Sequence, residues 1–595
     1  MRQSHFGSAA LVLSSIHLVA LGVSRPARAD VAIAVDGTKP RQTMEGFGAT
    51  TISLAYGAKD NVPAGLRAQA IQAAYGEVRL NMGNLEIEPF EASPANVFAP
   101  GNDDSNPSTL NASGFNWAQS DNMFNLVVKP ARPLGFIEFW LGPVVSSTFA
   151  INWANGIRST NYSQYLDEVA EHVSAGAQHW RDAYGITPKF MQLFNEPLSG
   201  NGELVGGSQS ELIDIVKRTG ARLRADGFAT LKFVVPAEET EQISLDRATA
   251  ILNDVQARAY VGAIAYHPYP YGSTYAAVPN ILSSSGAGTP DAQKVAVRNQ
   301  LRDLGRQYGV PVFMVEVSHA EVPFDSFDHV RGRAIQIHDE LVHADAAAFF
   351  GMNALWDSTS HAEHYAGRAD PGFYSESDTI VLIDNDAGKV IISPMGRAIG
   401  HYARFIRPGA VRLEATSADA LVQVTAFRDD GAGRAVAVLI NNANAPRTTD
   451  VTFGGVTFAP SATISGEQST AASVWQSVPP FATAGNNRFV VTLPANSVTS
   501  LSAPLPGGPA VDGGMPGGAG GGGGVGVGGA AADGGVGGGN GVGGGGGGIS
   551  DPASNDGSSS SDGCSATGRD AGRASGVFAL FAIAAAAFGR ARRRR

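Results

Sequence analysis

The chain reads as an α/β protein, a (β/α)8 TIM barrel with an appended all-β sandwich side domain, and three patterns predict it. Between Met44 and about Ala403, short apolar runs rich in β-branched and aromatic residues alternate eight times with longer stretches of helical period. From there to Leu501 the period is two, broken by turn signals. Glycine, finally, is uneven: 26 of the 74 fall between Gly507 and Gly548. The remaining 48 are ordinary globular usage, so one segment is a flexible tether and the rest folds.

Taken in order, the strands of the barrel are expected at 44–50, 77–82, 135–142 and 189–195, then at 231–237, 261–267, 310–317 and 347–356. Helical stretches lie between them at 162–180, 210–227, 244–260 and 291–309, and Gly185, Gly227 and Gly309 close three of them as left-handed caps prefer. Strands apolar on both faces point to a parallel sheet covered by helices. A doubly wound open sheet is the alternative, but no G-x-G-x-x-G follows the first strand, so nucleotide binding has no support. Residues 396–409 form the last helix and its stop. The segment 30–42 is strand-like, with a turn at Asp36-Gly37, and is expected to pair with the β-domain. The organisation is thus a barrel over 44–403 and a β-sandwich over 404–503, preceded by a strand segment at 30–43. A Gly/Ser-rich linker over 504–563 and a tail over 564–595 follow.

The ends of the chain carry an address. Arg2, the apolar stretch Ala9 to Val23 and the small residues Ala27 and Ala29 have the grammar of a secretory signal cleaved after Ala29. At the other end, Gly563-Cys564-Ser565 precedes an apolar run from Ala574 to Phe588, closed by Arg590 and Arg592 to Arg595. This order resembles the myxobacterial-type C-terminal sorting tail, which makes Cys564 the expected processing or lipid-attachment point. A plain tail anchor is the alternative; in either case membrane contact is expected only through this tail.

Composition removes several classes. One cysteine cannot form an internal bridge. Without 1–29 and 564–595 the chain carries 33 basic and 53 acidic residues, a balance that repels phosphate, so nucleic acid is not an expected partner. No His/Cys/Asp set has metal-ligand spacing, and no cofactor is expected.

In a (β/α)8 barrel, side chains at the carboxyl ends of the strands converge on one mouth. Strand four ends in Phe194-Asn195-Glu196-Pro197 and strand seven in Met314-Val315-Glu316-Val317-Ser318. A carboxylate after a buried apolar run is costly without a purpose. Two carboxyls facing across a cleft break a glycosidic bond when one is protonated to donate to the leaving oxygen and the other is ionised. Like charge between them raises one pKa. A salt bridge to a neighbouring helix is the better explanation of a single such glutamate; the pair on strands four and seven is what carries the reading.

At these residues the chain resembles the retaining glycosidases of clan A, most closely glycoside hydrolase family 30, over about 31–503. The likeness rests on GFGA (46–49), Arg79, NEP (195–197), HPY (267–269), VEVS (315–318) and HYARFIRPGAVRL (401–413). The resemblance implies Glu196 as acid/base and Glu316 as nucleophile, with Asn195 on the sugar 2-hydroxyl and Arg79 holding Glu316 ionised. Phe194 and the run after Arg79 depart from the family pattern. Families 79 and 39 of the same clan, and a non-catalytic carbohydrate-binding barrel, are the alternatives.

Other candidates are open between two roles. His267 and Tyr269 follow strand six, where the hydroxyl could reach the nucleophile or simply pack around Pro268. Trp356 and Trp140 are either sugar-stacking platforms or core tryptophans. Glu238 and Glu239 end strand five, where they either bind sugar hydroxyls or, the favoured reading, are solvated loop charges; His338 and His343 are expected to be surface groups of a helix. The expectation is a monomer acting on carbohydrate, secreted and attached at the cell surface.

Overall fold

Eight parallel strands close on themselves. The computed structural model describes residues 30–50, 62–87, 90–91, 101–141, 152–198, 207–269, 292–317, 326–358, 379–385, 387–485 and 487–508. The barrel strands are β1 (Gly46–Thr50), β2 (Met82–Glu86), β3 (Ile137–Leu141) and β4 (Phe190–Gln192). They continue with β5 (Lys232–Glu238), β6 (Val261–Tyr266), β7 (Val312–Met314) and β8 (Ala346–Ser358). Each pairs in parallel with the next, and β8 pairs with both β7 and β1, which completes the ring. A closed sheet has no edge to protect. The interior is filled from alternate positions by Met82, Phe139, Phe190, Val234, Ala263, Phe313 and Phe350, with Phe190 edge-on to Phe313 at 5.1 Å. It is a packed core, so chemistry is confined to the rim.

The helices between the strands start and stop where their caps say. Asn161 accepts from the Gln164 amide at the head of Tyr162–Tyr184, and Gly185 ends that helix at φ 68°. Ser208 likewise accepts from the Glu211 amide before Gln209–Ala225. Such caps each stabilise a helix by about 1 kcal/mol.

One local expectation fails. The second strand, expected at 77–82, runs over Met82–Glu86. Gln72–Glu77 is a wide helical turn, Arg79 takes a left-handed φ of 64°, and pairing with β1 begins only at Asn81, whose amide donates to the Phe47 carbonyl at 3.0 Å. The apolar alternation Val78, Leu80, Met82 is buried throughout, so burial preceded pairing in the sequence signal. The hairpin of Thr379–Asp384 with Lys389–Ile392 lies outside the eight expected strands and lengthens the sheet beside β8.

The C-terminal module is one nine-stranded sheet curled around its own core of Leu413, Val424, Leu439, Val451, Phe453, Phe458, Ile464 and Phe489, among others. The N-terminal strand Val31–Thr43 lies inside this sheet, antiparallel to Val411–Ser417 and parallel to Arg447–Gly454. Its alternating Val31, Ile33 and Val35 point into the core.

The seam between barrel and sheet is polar and tightly paired. Arg404 forms a two-pronged ion pair with Glu467, Nε to Oε2 at 2.7 Å and Nη2 to Oε1 at 2.6 Å, under the ring of Trp475. His401 bridges Ser500 and Ser469 at 3.0 and 2.7 Å. His338 meets Thr425 of the sheet at 2.7 Å, and burial pushes its pKa down to about 3. Neither His338 nor His343 is therefore an exposed surface group: both are half-buried, because the β-domain covers the helix face that the barrel alone would leave open.

Among the described residues no helix is long and apolar enough to cross a membrane. Residues 1–29 with Ala29, the linker beyond Gly508, and Cys564 with the tail lie outside the described residues.

Candidate active site

The hydrogen-bond ladder of the barrel continues past the strand ends and sets the mouth. The Glu196 amide donates to the Ala237 carbonyl at 2.8 Å, the His267 amide to the Glu238 carbonyl at 3.1 Å, and the Val315 amide to the Tyr266 carbonyl at 3.2 Å. Each bond fixes the residue after one strand against the end of a neighbouring strand. Glu196 itself sits at φ 49°, a left-handed conformation unfavourable to a side chain with a β-carbon.

These backbones bring four of the expected residues together. His267 Nδ1 lies 2.9 Å from Glu196 Oε1 and 3.8 Å from Glu316 Oε1. The Tyr269 hydroxyl donates to Glu316 Oε1 at 2.8 Å. One donor atom from each of Glu196, His267 and Glu316 lies within 4.8 Å of the other two. The two carboxyls therefore meet across one side of the mouth, with an imidazole between them.

Alternation along β6 separates two jobs. Tyr266 turns outward and donates to Glu340 Oε2 at 2.5 Å; Glu340 is held by Arg298, which also pairs with Glu241 at 3.1 Å. These three come from three different helices, so a buried charge network anchors the residue before His267. His267 turns the other way.

Burial dominates the electrostatics. It raises the pKa of Glu196, and the nearby Glu316 and Glu239 charges push the same way against the opposing His267 contact. Burial opposes protonation of His267, but Glu316, Glu196 and Glu238 outweigh it and the net shift is upward. The 2.9 Å contact links the protonation of Glu196 to that of His267, and both groups hold a proton to higher pH than usual.

Asn195 stands at the rim, and a residue that sequence reading did not single out orders it. Gln192 is buried within β4; its amide donates to the Phe194 carbonyl at 3.0 Å and to Asn195 Oδ1 at 3.3 Å, while its oxygen accepts from Asn84 of β2 at 3.4 Å. A glutamine in an otherwise apolar strand was the available signal. Trp356 is half-buried, beyond the β1 pairing of β8, and lies opposite Leu382 of the hairpin.

Two expectations about site residues change, and one open candidate is decided. Arg79 is not at the mouth: it precedes β2 and lies in the field of Arg404 and Glu467 at the seam, with Arg407 donating to its carbonyl at 3.0 Å. The later start of β2 moves it to the far end of the barrel from Glu316. Trp140 is fully buried and packs edge-on against Phe228 at 6.0 Å on the helix side, because its neighbour Phe139 takes the inward position of β3. It is a core tryptophan. Glu238, read as a solvated loop charge, is fully buried at the end of β5, whereas Glu239 is exposed.

Among the described residues, Glu196, His267 and Glu316 are the one group of three or more His, Cys, Asp or Glu side chains gathered closely enough to suggest a metal. The fit is poor: bonds of about 2.0–2.2 Å to zinc would need the donors drawn together, and the imidazole nitrogen is already engaged with Glu196. The set suits proton transfer better.

No protein-family model matches the sequence, and no curated protein matches it. Solved structures do. A family 30 endoxylanase from Clostridium papyrosolvens C71 is 17% identical with a TM-score of 0.53, over 80% of this chain and 100% of that one. A family 30 subfamily 8 xylanase from Clostridium acetobutylicum is 18% identical with a TM-score of 0.55, over 80% and 100%. An endo-β1,6-glucanase is 18% identical with a TM-score of 0.54, over 80% and 94%. At these identities the likeness is one of fold: the chain has the architecture of family 30 glycoside hydrolases, a (β/α)8 barrel joined to a nearly closed β-sheet domain.

Proposed function

We propose that this protein is a retaining β-glycoside hydrolase acting on β-linked poly- or oligosaccharide, with Glu196 as acid/base and Glu316 as nucleophile. The observation that carries the reading is the approach of the two carboxyls to within 4.8 Å, atom to atom, at the mouth of the barrel. Retaining enzymes hold these groups about 5–5.5 Å apart, whereas inverting ones need about 6.5–9.5 Å to admit a water between them.

The chemistry follows from the environments. Glu196, its proton held by burial and by the charge of Glu316, donates to the leaving oxygen while Glu316 attacks the anomeric carbon. Tyr269 orients the attacking carboxylate through its 2.8 Å hydrogen bond. In the second step Glu196, now ionised, takes a proton from water, which releases the sugar with its configuration kept. His267 stabilises that ionised state through the same 2.9 Å contact. Asn195, ordered by Gln192, is proposed to bind the sugar 2-hydroxyl. Trp356 is proposed to line the first subsite. Solved relatives in fold include xylanases and a glucanase, which supports a β-linked glycan as substrate class.

The test is a panel of β-linked polysaccharides and aryl β-glycosides, run beside Glu316→Gln, with the first-formed anomer read by NMR. Loss of every activity in the variant and a retained configuration are expected. An inverted product, or activity surviving in the variant, overturns the mechanism. We further propose export through residues 1–29, cleavage after Ala29, and surface attachment through the tail at Cys564; the support is the order of these segments in the sequence. Mass spectrometry of the mature protein checks both ends.

A further inference from the structure

The run His267-Pro268-Tyr269 brings an imidazole and a phenol to the proposed site, and Pro268 is its weak point. A proline has no N–H, so its carbonyl is the one hydrogen-bonding group its backbone offers. The residues before it are held by the barrel. The Tyr266 carbonyl accepts from the Val315 amide at 3.2 Å, and the His267 amide donates to the Glu238 carbonyl at 3.1 Å. The Pro268 carbonyl is held from a helix: it accepts from Lys294 Nζ at 3.3 Å. Lys294 belongs to Ala292–Tyr308, and Arg298, four residues on, lies on the same side of that helix. Arg298 Nη2 is 2.5 Å from Glu340 Oε1, and Glu340 Oε2 accepts from the Tyr266 hydroxyl at 2.5 Å. One helix thus grips the run on both sides of His267, through Glu340 onto the Tyr266 side chain and directly onto the Pro268 carbonyl.

The second grip bears on Tyr269. The Pro268 carbonyl and the Tyr269 amide form one planar peptide unit, so fixing the carbonyl fixes the plane from which Tyr269 departs. The Tyr269 hydroxyl stands at the far end of its ring, 2.8 Å from Glu316 Oε1, and a small turn of that plane is enlarged there. A lysine gives up more side-chain freedom than most residues to hold one carbonyl, a cost offset where the carbonyl sets a reacting group. We propose that Lys294 is a positioning residue of the site, which through the Pro268 carbonyl aims the Tyr269 hydroxyl at Glu316. This rests on the glycosidase reading. The effect passes through Tyr269 and exists only while the phenol is present. Lys294 also lies in the fields of Asp339 and Glu340, and a purely electrostatic service to those carboxyls would not depend on the phenol. That difference makes the two roles separable.

The experiment measures kcat and KM on the β-glycoside that the full-length parent cleaves best. Lys294→Met, Lys294→Ala and Lys294→Arg are each made in the parent and in a Tyr269→Phe background, with melting temperatures to establish folding. The first two both remove the donor, so either suffices if the other fails to fold. In the parent they should lower kcat/KM about three- to tenfold, with the loss in kcat and KM within about twofold. Lys294→Arg can still donate to the carbonyl and should return to within about twofold of the parent. In the Tyr269→Phe background the Met and Ala changes should alter kcat/KM by less than about twofold, because the hydroxyl they misplace is already gone. No loss in a folded Met or Ala variant, or a loss of equal size with and without the hydroxyl, overturns the proposal. Failure of the glycosidase reading looks different: the parent protein itself would act on no β-glycoside.

Discussion

Replacing Arg404 by methionine should unsettle the seam between barrel and β-sheet far more than the loss of a surface ion pair would. Arg404 and Glu467 share two hydrogen bonds at 2.6 and 2.7 Å, and their side chains are only 10% and 8% exposed. The guanidinium also donates to the Glu77 carbonyl at 2.5 Å and lies 4.8 Å from the Trp475 ring centroid. Methionine restores most of the volume but none of this, and leaves the buried Glu467 carboxylate without its hydrogen-bond donor, with only the more distant charge of Arg79 beside it. Breaking a buried pair in this way costs about 3–5 kcal/mol. The lost contact with Trp475 adds about 0.5–1 kcal/mol. Thermal unfolding should therefore shift down by several degrees or more. The decisive comparison is the double variant Arg404→Met with Glu467→Met. It removes both charges and should recover most of the loss, because a buried ion pair and an apolar pair of like volume are often close in stability. Unfolding midpoints for the parent, both single variants and the double complete a thermodynamic cycle. If the single variants melt within a degree of the parent, or the double is as damaged as the sum of the singles, the pair is not buried as described.

Three further outcomes follow. Tyr269→Phe removes one hydrogen bond to a carboxylate, which at about 1.5–3 kcal/mol should lower kcat/KM by roughly 10- to 100-fold with little change in melting temperature; an unaltered rate would dissociate Tyr269 from Glu316. Trp140→Ala should cost about 3–5 kcal/mol of stability while KM of the surviving protein is unchanged; a KM effect without destabilisation would return this residue to the sugar site. Burial, with Asp103 beside it, raises the Glu171 pKa to about 7, above its ordinary value of 4.5. A carboxyl that holds its proton longer when folded loses stability as pH climbs from about 4.5 to about 7, so Glu171→Gln should melt higher than the parent at pH 8 and alike at pH 4.5. Melting curves at the two pH values check the sign.

Much of this architecture could be read before any coordinates. Period two against period 3.6 is a direct consequence of which faces are buried, and it located all eight barrel strands, seven of them in register. The approach of Glu196 and Glu316 was legible for the same reason: each follows an apolar run, and a barrel gathers such ends at one rim. The resemblance set Arg79 beside Glu316, but the strand begins at Met82 and not at 77, which leaves Arg79 before it, at the opposite end; one step of alternation at Phe139 decides Trp140, open between a platform and a core role, for the core. Glu238 and the two histidines of the helix Phe327–His343 were misjudged because a titratable residue near a loop looks solvated until the neighbouring layer is known. Gln192 left only a faint trace, a single polar letter in a strand, since its role lies in partners 108 residues away in one case and three in the other.

The N-terminal strand has a consequence for how this protein can be made and dissected. Val31–Thr43 supplies a middle rung to a sheet whose other eight rungs are encoded after residue 410, so the first and last parts of the chain complete one another. A fragment covering 404–503 alone would lack that rung and present two open edges, at Val411–Ser417 and at Arg447–Gly454, flanking the slots that Val31, Ile33 and Val35 fill. Such a fragment should aggregate unless a peptide spanning 30–43 is added back. During synthesis the leading strand must wait, unpaired, until some 400 residues have followed it, which makes closure of this sheet a late event in folding.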